Sequence, residues 1–134
     1  MYEKVKYPTI RGVVQSGVGK GSYFTQLDWV VEQCRRTLGY KPFPGTLNVR
    51  VADEDLNRLD LFLQGWDFEL IPNDPVFCSA QVKKVKVNEL PGAVILPADE
   101  VRTHERRVLE IIAQCSLKET LGIRDGDLVT ITVL

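Results

Sequence analysis

The sequence predicts a mainly β protein, built as a small barrel of short strands with a few short helices. Short segments rich in β-branched residues follow one another through most of the chain, separated by Pro, Gly and Asn-Asp breaks. Helical periodicity is clear in a single segment. Many short strands with few helices are typical of a small β-barrel and not of a parallel α/β sheet.

Composition limits the classes of protein to consider. The 134 residues suffice for one domain, expected to span 1–134. A net charge of −1 gives no general attraction to phosphates, which disfavours a nucleic-acid partner. Because no apolar run approaches the ~20 residues that cross a bilayer and the N-terminus lacks a signal-peptide pattern, we expect a cytoplasmic protein without a membrane partner. The 3 cysteines are widely separated and predict neither a disulfide framework nor a zinc site.

The first half of the chain contains the clear helix. TIRGVVQSG predicts a first strand that leads into the glycine segment SGVGKGS. A helical stripe follows, with Thr25 as the expected N-cap and Gly39 at the end, and it consists of Leu27, Val30, Val31, Cys34 and Leu38. GTLNVRV returns to a strand pattern, and ADEDLNRLDLFL predicts a weaker helix.

The second half is mostly β. WDFELI, PVFCSAQVKKVKV, GAVILP and RVLEIIA predict successive strands, the second with its valines packed and its lysines in solvent. SLKE is a capping box, with Ser116 as the N-cap and Glu119 at N3 of a short helix that ends near Gly122. RDGD predicts a turn before the closing strand LVTITVL.

The glycine segment at residues 16–22 fits neither of two familiar nucleotide motifs. A Walker A motif needs a Gly six residues before its Lys, where this chain has Val14. A dinucleotide fingerprint needs a third Gly where Ser22 stands. Two alternatives stay open. The backbone N–H groups and Lys20 could line a polyphosphate, or the glycines could serve a tight, irregular hairpin.

Thr46 and Asn48 are the next candidates. Separated by one residue at the start of a strand, they project to the same face. A hydroxyl and an amide carbonyl are neutral oxygen donors that suit Mg²⁺ already carrying nucleotide phosphates. The alternative is a turn in which both side chains cap local backbone groups.

Glu110 interrupts the otherwise apolar strand VLEIIA, with Val108 and Ile112 on its own face. It either faces solvent or is a carboxylate in a cavity, which is costly unless paired or bound to a ligand.

His104 is the only histidine, and a lone histidine is usually a surface or packing residue. A phosphate loop, an oxygen-donor pair, a carboxylate and a capped helix start together indicate a phosphotransferase.

Several segments, in order, resemble the archaeal CTP-dependent riboflavin kinases: SGVGKGSYF, GYKPFPGTLNVRV, GAVILP, RTH, VLEIIA and LKETLGIRDGDLVTITVL. The resemblance runs from about Gly12 to the C-terminus. It implies a compact six-stranded cradle-loop (RIFT-related) barrel that transfers the γ-phosphoryl of CTP to the 5′-hydroxyl of riboflavin, giving FMN and CDP. It also implies one Mg²⁺ shared with the nucleotide phosphates, and we expect a monomer. A non-catalytic flavin- or nucleotide-sensing barrel is the alternative.

The resemblance also assigns residues. Its metal pair is Thr46 and Asn48, and its flavin-contacting positions are Thr103, His104 and Glu110, of which Glu110 would orient or deprotonate the ribityl hydroxyl. Lys118 stands where the family usually has Arg, so a bidentate contact would become a point charge, which leaves nucleotide selectivity open. The nucleotide-binding positions that the resemblance implies are Gly17, Val18, Gly19, Lys20, Gly21, Ser22, Tyr23, Cys115, Ser116, Leu117 and Lys118.

Overall fold

A computed structural model describes residues 9–17, 20–98 and 107–134, with the backbone but not the side chain of Lys20. The strands are β1 (Thr9–Gln15), β2 (Leu47–Val51), β3 (Phe68–Leu70), β4 (Ala80–Val87), β5 (Leu90–Pro97), β6 (Val108–Ile112) and β7 (Leu128–Val133). The helices are α1 (Lys20–Thr25), α2 (Asp28–Thr37), α3 (Leu56–Phe62), which follows a 3₁₀ turn at Asp53–Asp55, and α4 (Leu117–Leu121).

Six of these strands close into an antiparallel barrel in the order β4-β5-β6-β2-β1-β7. The ring closes where the end of β4 pairs with β7, from Val85 opposite Val133 to Val87 opposite Ile131. The start of the same edge of β4 pairs instead with β3, which lies outside the ring. The prediction of a mainly β, six-stranded barrel with a few short helices is confirmed.

Buried residues form two clusters on opposite faces of the sheet. One fills the barrel with alternate strand residues such as Val49, Val85 and Ile131, together with Phe62 of α3. The other packs Val30 and Cys34 of α2 against outer-face residues. Burial raises the pKa of the Cys34 thiol to about 11, so the thiol stays protonated and packs as a core side chain, as predicted. The outer cluster is completed by Leu70, Ala80, Val82, Ala93, Ile95 and Ile112.

The predicted helical stripe corresponds to a single helix, α2, with Leu27 as its N-cap and Leu38 as its C-cap, and the short helix α1, which was not predicted, precedes it. Thr25 was expected to be the N-cap, and that expectation is wrong. Thr25 ends α1, where its hydroxyl donates to the carbonyl of Gly21 at 2.9 Å, and α2 begins after Leu27. The apolar stripe starts only after α1 has ended, so its spacing gave no indication of that helix. Gly39, at φ +89°, follows the end of α2 as expected.

β4 departs from its prediction in two respects. It begins at Ala80, whereas the pattern suggested a strand from Pro75. Lys83 was expected in solvent but is only 5% exposed. Its Nζ donates to the carbonyls of Gln64 and Gly65, at 2.6 and 2.7 Å. Those carbonyls follow α3, where a cation stabilises the helix C-terminus.

The capping box is confirmed. The Ser116 hydroxyl accepts a hydrogen bond from the Glu119 backbone N–H at 3.2 Å, and Gly122 ends α4 in the left-handed conformation at φ +67°. In the part of the chain that the structure describes, no helix has the length and apolar character needed to cross a membrane.

Asp55 connects β1 to α3. It is 1% exposed, and one carboxylate oxygen accepts from the Arg11 backbone N–H at 2.8 Å and from Arg11 Nε at 3.3 Å. Arg58 Nη2 donates to the other oxygen at 3.3 Å. Burial by itself raises the pKa of Asp55, but the hydrogen bonds from Arg11 and the two guanidinium charges outweigh it and hold the pKa below its ordinary value.

We therefore expect Asp55→Asn to lower the free energy of unfolding at pH 7 by about 1–3 kcal/mol, because a buried charged acceptor is lost. The depressed pKa means that ionised Asp55 stabilises the fold above its ordinary pKa of about 3.9, and that this contribution disappears as pH falls through the folded-state pKa. Urea denaturation from pH 7 to pH 3 should show the difference from wild type shrinking in acid. The exposed Asp60→Asn variant of α3 is the control, and an equal loss there would contradict the prediction.

Candidate functional site

Asn48 lies at the centre of the outer face of the barrel, on β2. It is paired with Gln15 of β1 on one side and with Glu110 of β6 on the other. Directly opposite residues of antiparallel strands project to the same face, with Cβ atoms about 4.5–5.5 Å apart. Three strands from distant parts of the chain thus bring an amide, a second amide and a carboxylate side by side.

The register answers the question that the sequence left open about Glu110. It lies on the outer face, beside the buried Ile112 and opposite Ile95 of β5, and its exposure is intermediate. The inward positions of the same strand are Leu109 and Ile111, which belong to the barrel core. Glu110 is therefore neither a fully solvated residue nor a carboxylate inside the barrel.

The glycine segment packs directly on Thr46 and Asn48. A Cβ added to Gly17 would collide with the Asn48 side chain, and one added to Gly21 would lie 2.5 Å from Thr46 Oγ1. Neither glycine has a positive φ. Close approach to these two side chains, and not an unusual backbone conformation, therefore favours glycine at both positions. The predicted loop and the predicted oxygen-donor pair form one structure.

Thr25 connects this segment to the start of β2. Its hydroxyl, which donates to the Gly21 carbonyl, also accepts a hydrogen bond from the Gly45 backbone N–H at 2.9 Å. Gly45 has φ +115° and immediately precedes Thr46. Thr25 is fully buried, so its hydroxyl links α1 to the turn before Thr46 away from solvent.

Thr46 also lines a cleft with the second predicted nucleotide-binding segment, residues 115–118. Cys115 is exposed, whereas the Leu117 side chain is buried in the barrel core, so only the backbone of Leu117 can serve a ligand there. The Ser116 hydroxyl is occupied by the helix cap. The remaining lining residues are Phe43, Pro44, Gly45, Leu47, Ile111, Ala113 and Lys118.

Sequence reasoning did not single out Phe43 as a lining residue. Its backbone N–H donates to the Ala113 carbonyl at 2.8 Å, which fixes one wall of the cleft, and its side chain is 42% exposed. An exposed aromatic residue between two prolines, in PFPG, is the signal that could have identified it.

Asp125 was also missed. One of its oxygens accepts a short hydrogen bond from the Ser16 hydroxyl, and the other lies 2.9 Å from Lys118 Nζ. These hydrogen bonds, from Ser16 and then from Lys118, hold the pKa of Asp125 below its ordinary value. The carboxylate therefore joins the glycine segment to the start of α4.

Two further predicted site residues lie on the exposed side of α1. Ser22 and Tyr23 are exposed on α1, where the Ser22 carbonyl accepts from Gln26 Nε2 at 2.9 Å. Five predictions concern features outside the part of the chain that is described: Val18, Gly19, Thr103, His104 and the side chain of Lys20.

The donor set can be compared with the needs of a nucleotide-bound divalent cation. The Thr46 hydroxyl lies against Gly21 and the Asn48 amide against Gly17, with Glu110 opposite Asn48. Mg²⁺ prefers oxygen ligands and usually keeps waters and substrate phosphates beside one or two protein groups, so these residues fit it. Within residues 9–17, 20–98 and 107–134, no group of three His, Cys, Asp or Glu side chains forms an all-protein cage.

Known proteins resemble this chain over most of its length. The family described as CTP-dep_RFKase, domain of unknown function DUF120, matches residues 14–133. A riboflavin kinase of Archaeoglobus fulgidus is 36% identical, with 93% of this chain and 54% of that protein aligned. A riboflavin kinase of Methanobrevibacter smithii is 36% identical, with 91% and 97% aligned, and one of Saccharolobus solfataricus is 34% identical, with 92% and 73% aligned.

The chain thus spans about half the length of the Archaeoglobus relative and nearly all of the Methanobrevibacter one. The family match includes β2, β6, α4 and the end of β1, which carry the described parts of the candidate site. On the extent of this match, the chain belongs to the CTP-dep_RFKase family.

Proposed function

We propose that this chain is a riboflavin kinase that uses CTP, transferring its γ-phosphoryl to the 5′-hydroxyl of riboflavin to give FMN and CDP. The observation that carries the proposal is the packing of Gly17 and Gly21 on Asn48 and Thr46. Glycine backbone held against two oxygen donors is suited to phosphates that carry a divalent cation. Similarity to riboflavin kinases supports the reaction, and membership of the CTP-dep_RFKase family supports the donor.

The nucleotide would lie between the glycine segment and the start of α4, across the cleft that Thr46 lines. Backbone groups of residues 115–118 would read the base, since fixed donors and acceptors reject a wrong base by leaving polar groups unpaired. Lys118 would contribute a point charge. Thr46 and Asn48 would hold Mg²⁺, which supplies charge neutralisation at the phosphates when bound.

Glu110 would orient the 5′-hydroxyl of riboflavin and accept its proton. As the oxygen forms its bond to the γ-phosphorus, the bond from that phosphorus to the β–γ bridging oxygen breaks, and CDP leaves with the electron pair. Catalysis of this kind depends on positioning and on charge stabilisation more than on covalent chemistry. The position of Glu110 on the outer face, opposite Asn48, supports this role.

The direct test is product formation. Incubation with riboflavin and Mg²⁺ should yield FMN with CTP, and much less with ATP, GTP or UTP, when followed by chromatography with fluorescence detection. Absence of FMN with every donor would reject the kinase. Binding of riboflavin or a nucleotide without turnover would instead indicate the sensing barrel.

Asn48→Ala tests the metal pair. We expect kcat/KM to fall by about 10²-fold or more, because a ligand of the nucleotide-bound ion is lost. Raising Mg²⁺ should recover part of the loss. Asn57→Ala, at an exposed position of α3, is the matched control and should keep wild-type kinetics. Unchanged activity of the Asn48 variant would exclude the metal role.

Glu110→Gln tests the proton acceptor. The amide keeps the size of the side chain but cannot take a proton, so kcat should fall by ~10²–10⁴-fold with little change in the KM for CTP. Glu69→Gln, at an exposed position of β3, provides the same change of charge away from the site. A turnover near that of wild type would restrict Glu110 to orienting the substrate.

A further inference from the structure

Asp125 contacts both segments that are proposed to hold the nucleotide, the glycine segment and the start of α4. Its carboxylate accepts from the Ser16 hydroxyl on one oxygen and lies 2.9 Å from Lys118 Nζ on the other. Ser16 immediately precedes Gly17, the residue packed on Asn48. Lys118 lines the cleft that also contains Thr46. One side chain thus connects both walls.

The base of this connection is rigid. The turn that carries Asp125 is held to β1 by two backbone hydrogen bonds, from Gly126 N–H to the Val14 carbonyl at 2.8 Å and from Val14 N–H to the Asp127 carbonyl at 2.9 Å. Within the turn, the Asp127 carboxylate accepts from the Arg124 backbone N–H at 2.9 Å. The backbone that carries Asp125 is therefore anchored to β1 of the barrel.

A surface ion pair by itself contributes little to stability, because solvent screens it. The arrangement here gives the pair another use. Lys118 is long and flexible, and Ser16 begins a glycine-rich segment, so both would lose conformational freedom on binding a nucleotide. Contacts that restrict them beforehand lower that cost without touching the ligand.

We propose that Asp125 is a positioning residue that sets the separation of the glycine segment and the start of α4 and orients Lys118 for the nucleotide. The inference rests on the proposed function of this site. It assigns Asp125 no contact with a substrate, so it acts on nucleotide binding through Ser16 and Lys118 and leaves the flavin and the transfer step unaffected.

Steady-state kinetics separate this role from a catalytic one. Asp125→Ala should raise the KM for CTP roughly three- to tenfold, with kcat within about twofold of wild type and the KM for riboflavin unchanged. Asp125→Asn can still accept a hydrogen bond from Ser16 but loses the charge that faces Lys118. Its KM for CTP should therefore lie between those of wild type and Asp125→Ala. Calorimetry should show the same loss of affinity for CDP. An unchanged KM, or equal changes for both substrates, would overturn the proposal.

Asp127→Ala is the matched control, since it removes a carboxylate from the same turn without touching Ser16 or Lys118. It should lower stability and change the KM for CTP less than Asp125→Ala does, because the contacts with Ser16 and Lys118 remain. An equal change in KM would show that the conformation of the turn, and not the Asp125 carboxylate, determines the affinity. In a Ser16→Ala, Lys118→Met background, Asp125→Ala should add little, because its partners are absent. If Asp125→Ala bound CTP more tightly than wild type, the carboxylate would be competing with the nucleotide for Lys118, and the proposal would be wrong.

The inference and the proposed function can fail separately. If the wild type makes no FMN, the kinase is rejected, and CDP affinity with amide hydrogen exchange still decides the role of Asp125. Without nucleotide, the backbone amides of residues 15–17 and 20–25 should exchange faster in Asp125→Ala than in wild type, while those of β5 should not change. If the wild type is active and Asp125→Ala matches it in KM, CDP affinity and exchange, only the positioning role is rejected.

Discussion

The position of β2 between β1 and β6 is the constraint on which the rest of the molecule depends. The barrel closes because β4 extends far enough to pair with β7 after its first residues have paired with β3. β2 is paired along both edges, with β1 and with β6, so its register is specified on both sides, and a slip of one residue would exchange its buried and outward positions. The alternation that buries Leu47 and Val49 therefore also directs Asn48 outward, and Thr46 immediately precedes the start of the strand.

The helices on the outer face complete the site that the barrel begins. α2 packs through Val30 and Cys34 over the outer cluster, while Gly17 and the start of α1 lie on the polar end of the same face. The buried hydroxyl of Thr25 and the carboxylate of Asp125 connect the elements on either side of that end. Packing thus supplies the platform, and a small number of polar contacts determine how its loops are arranged.

Much of the fold could be predicted, because closely spaced residues determine it. Strand patterns and the capping box at Ser116 are local signals, and each led to an observed element. The errors arose where distant residues intervene. Thr25 was predicted to be an N-cap, but its hydroxyl accepts a hydrogen bond from the distant Gly45 backbone N–H. Lys83 was predicted to be in solvent, but its ammonium group donates to the carbonyls that follow α3. In both cases a long-range hydrogen bond satisfied a polar group that local rules assign to a cap or to water.

The sequence by itself determined the class of fold, the glycine spacing and the types of side chain available for phosphate and metal chemistry. It left open whether the glycines served a hairpin or a ligand, and whether Glu110 pointed outward. Only the tertiary structure decided that Gly17 and Gly21 are needed for close approach to Asn48 and Thr46, and that Glu110 shares the face of Asn48. The physical reason is that these contacts join residues far apart in the chain, and strand register and barrel closure, which local patterns do not specify, bring them together.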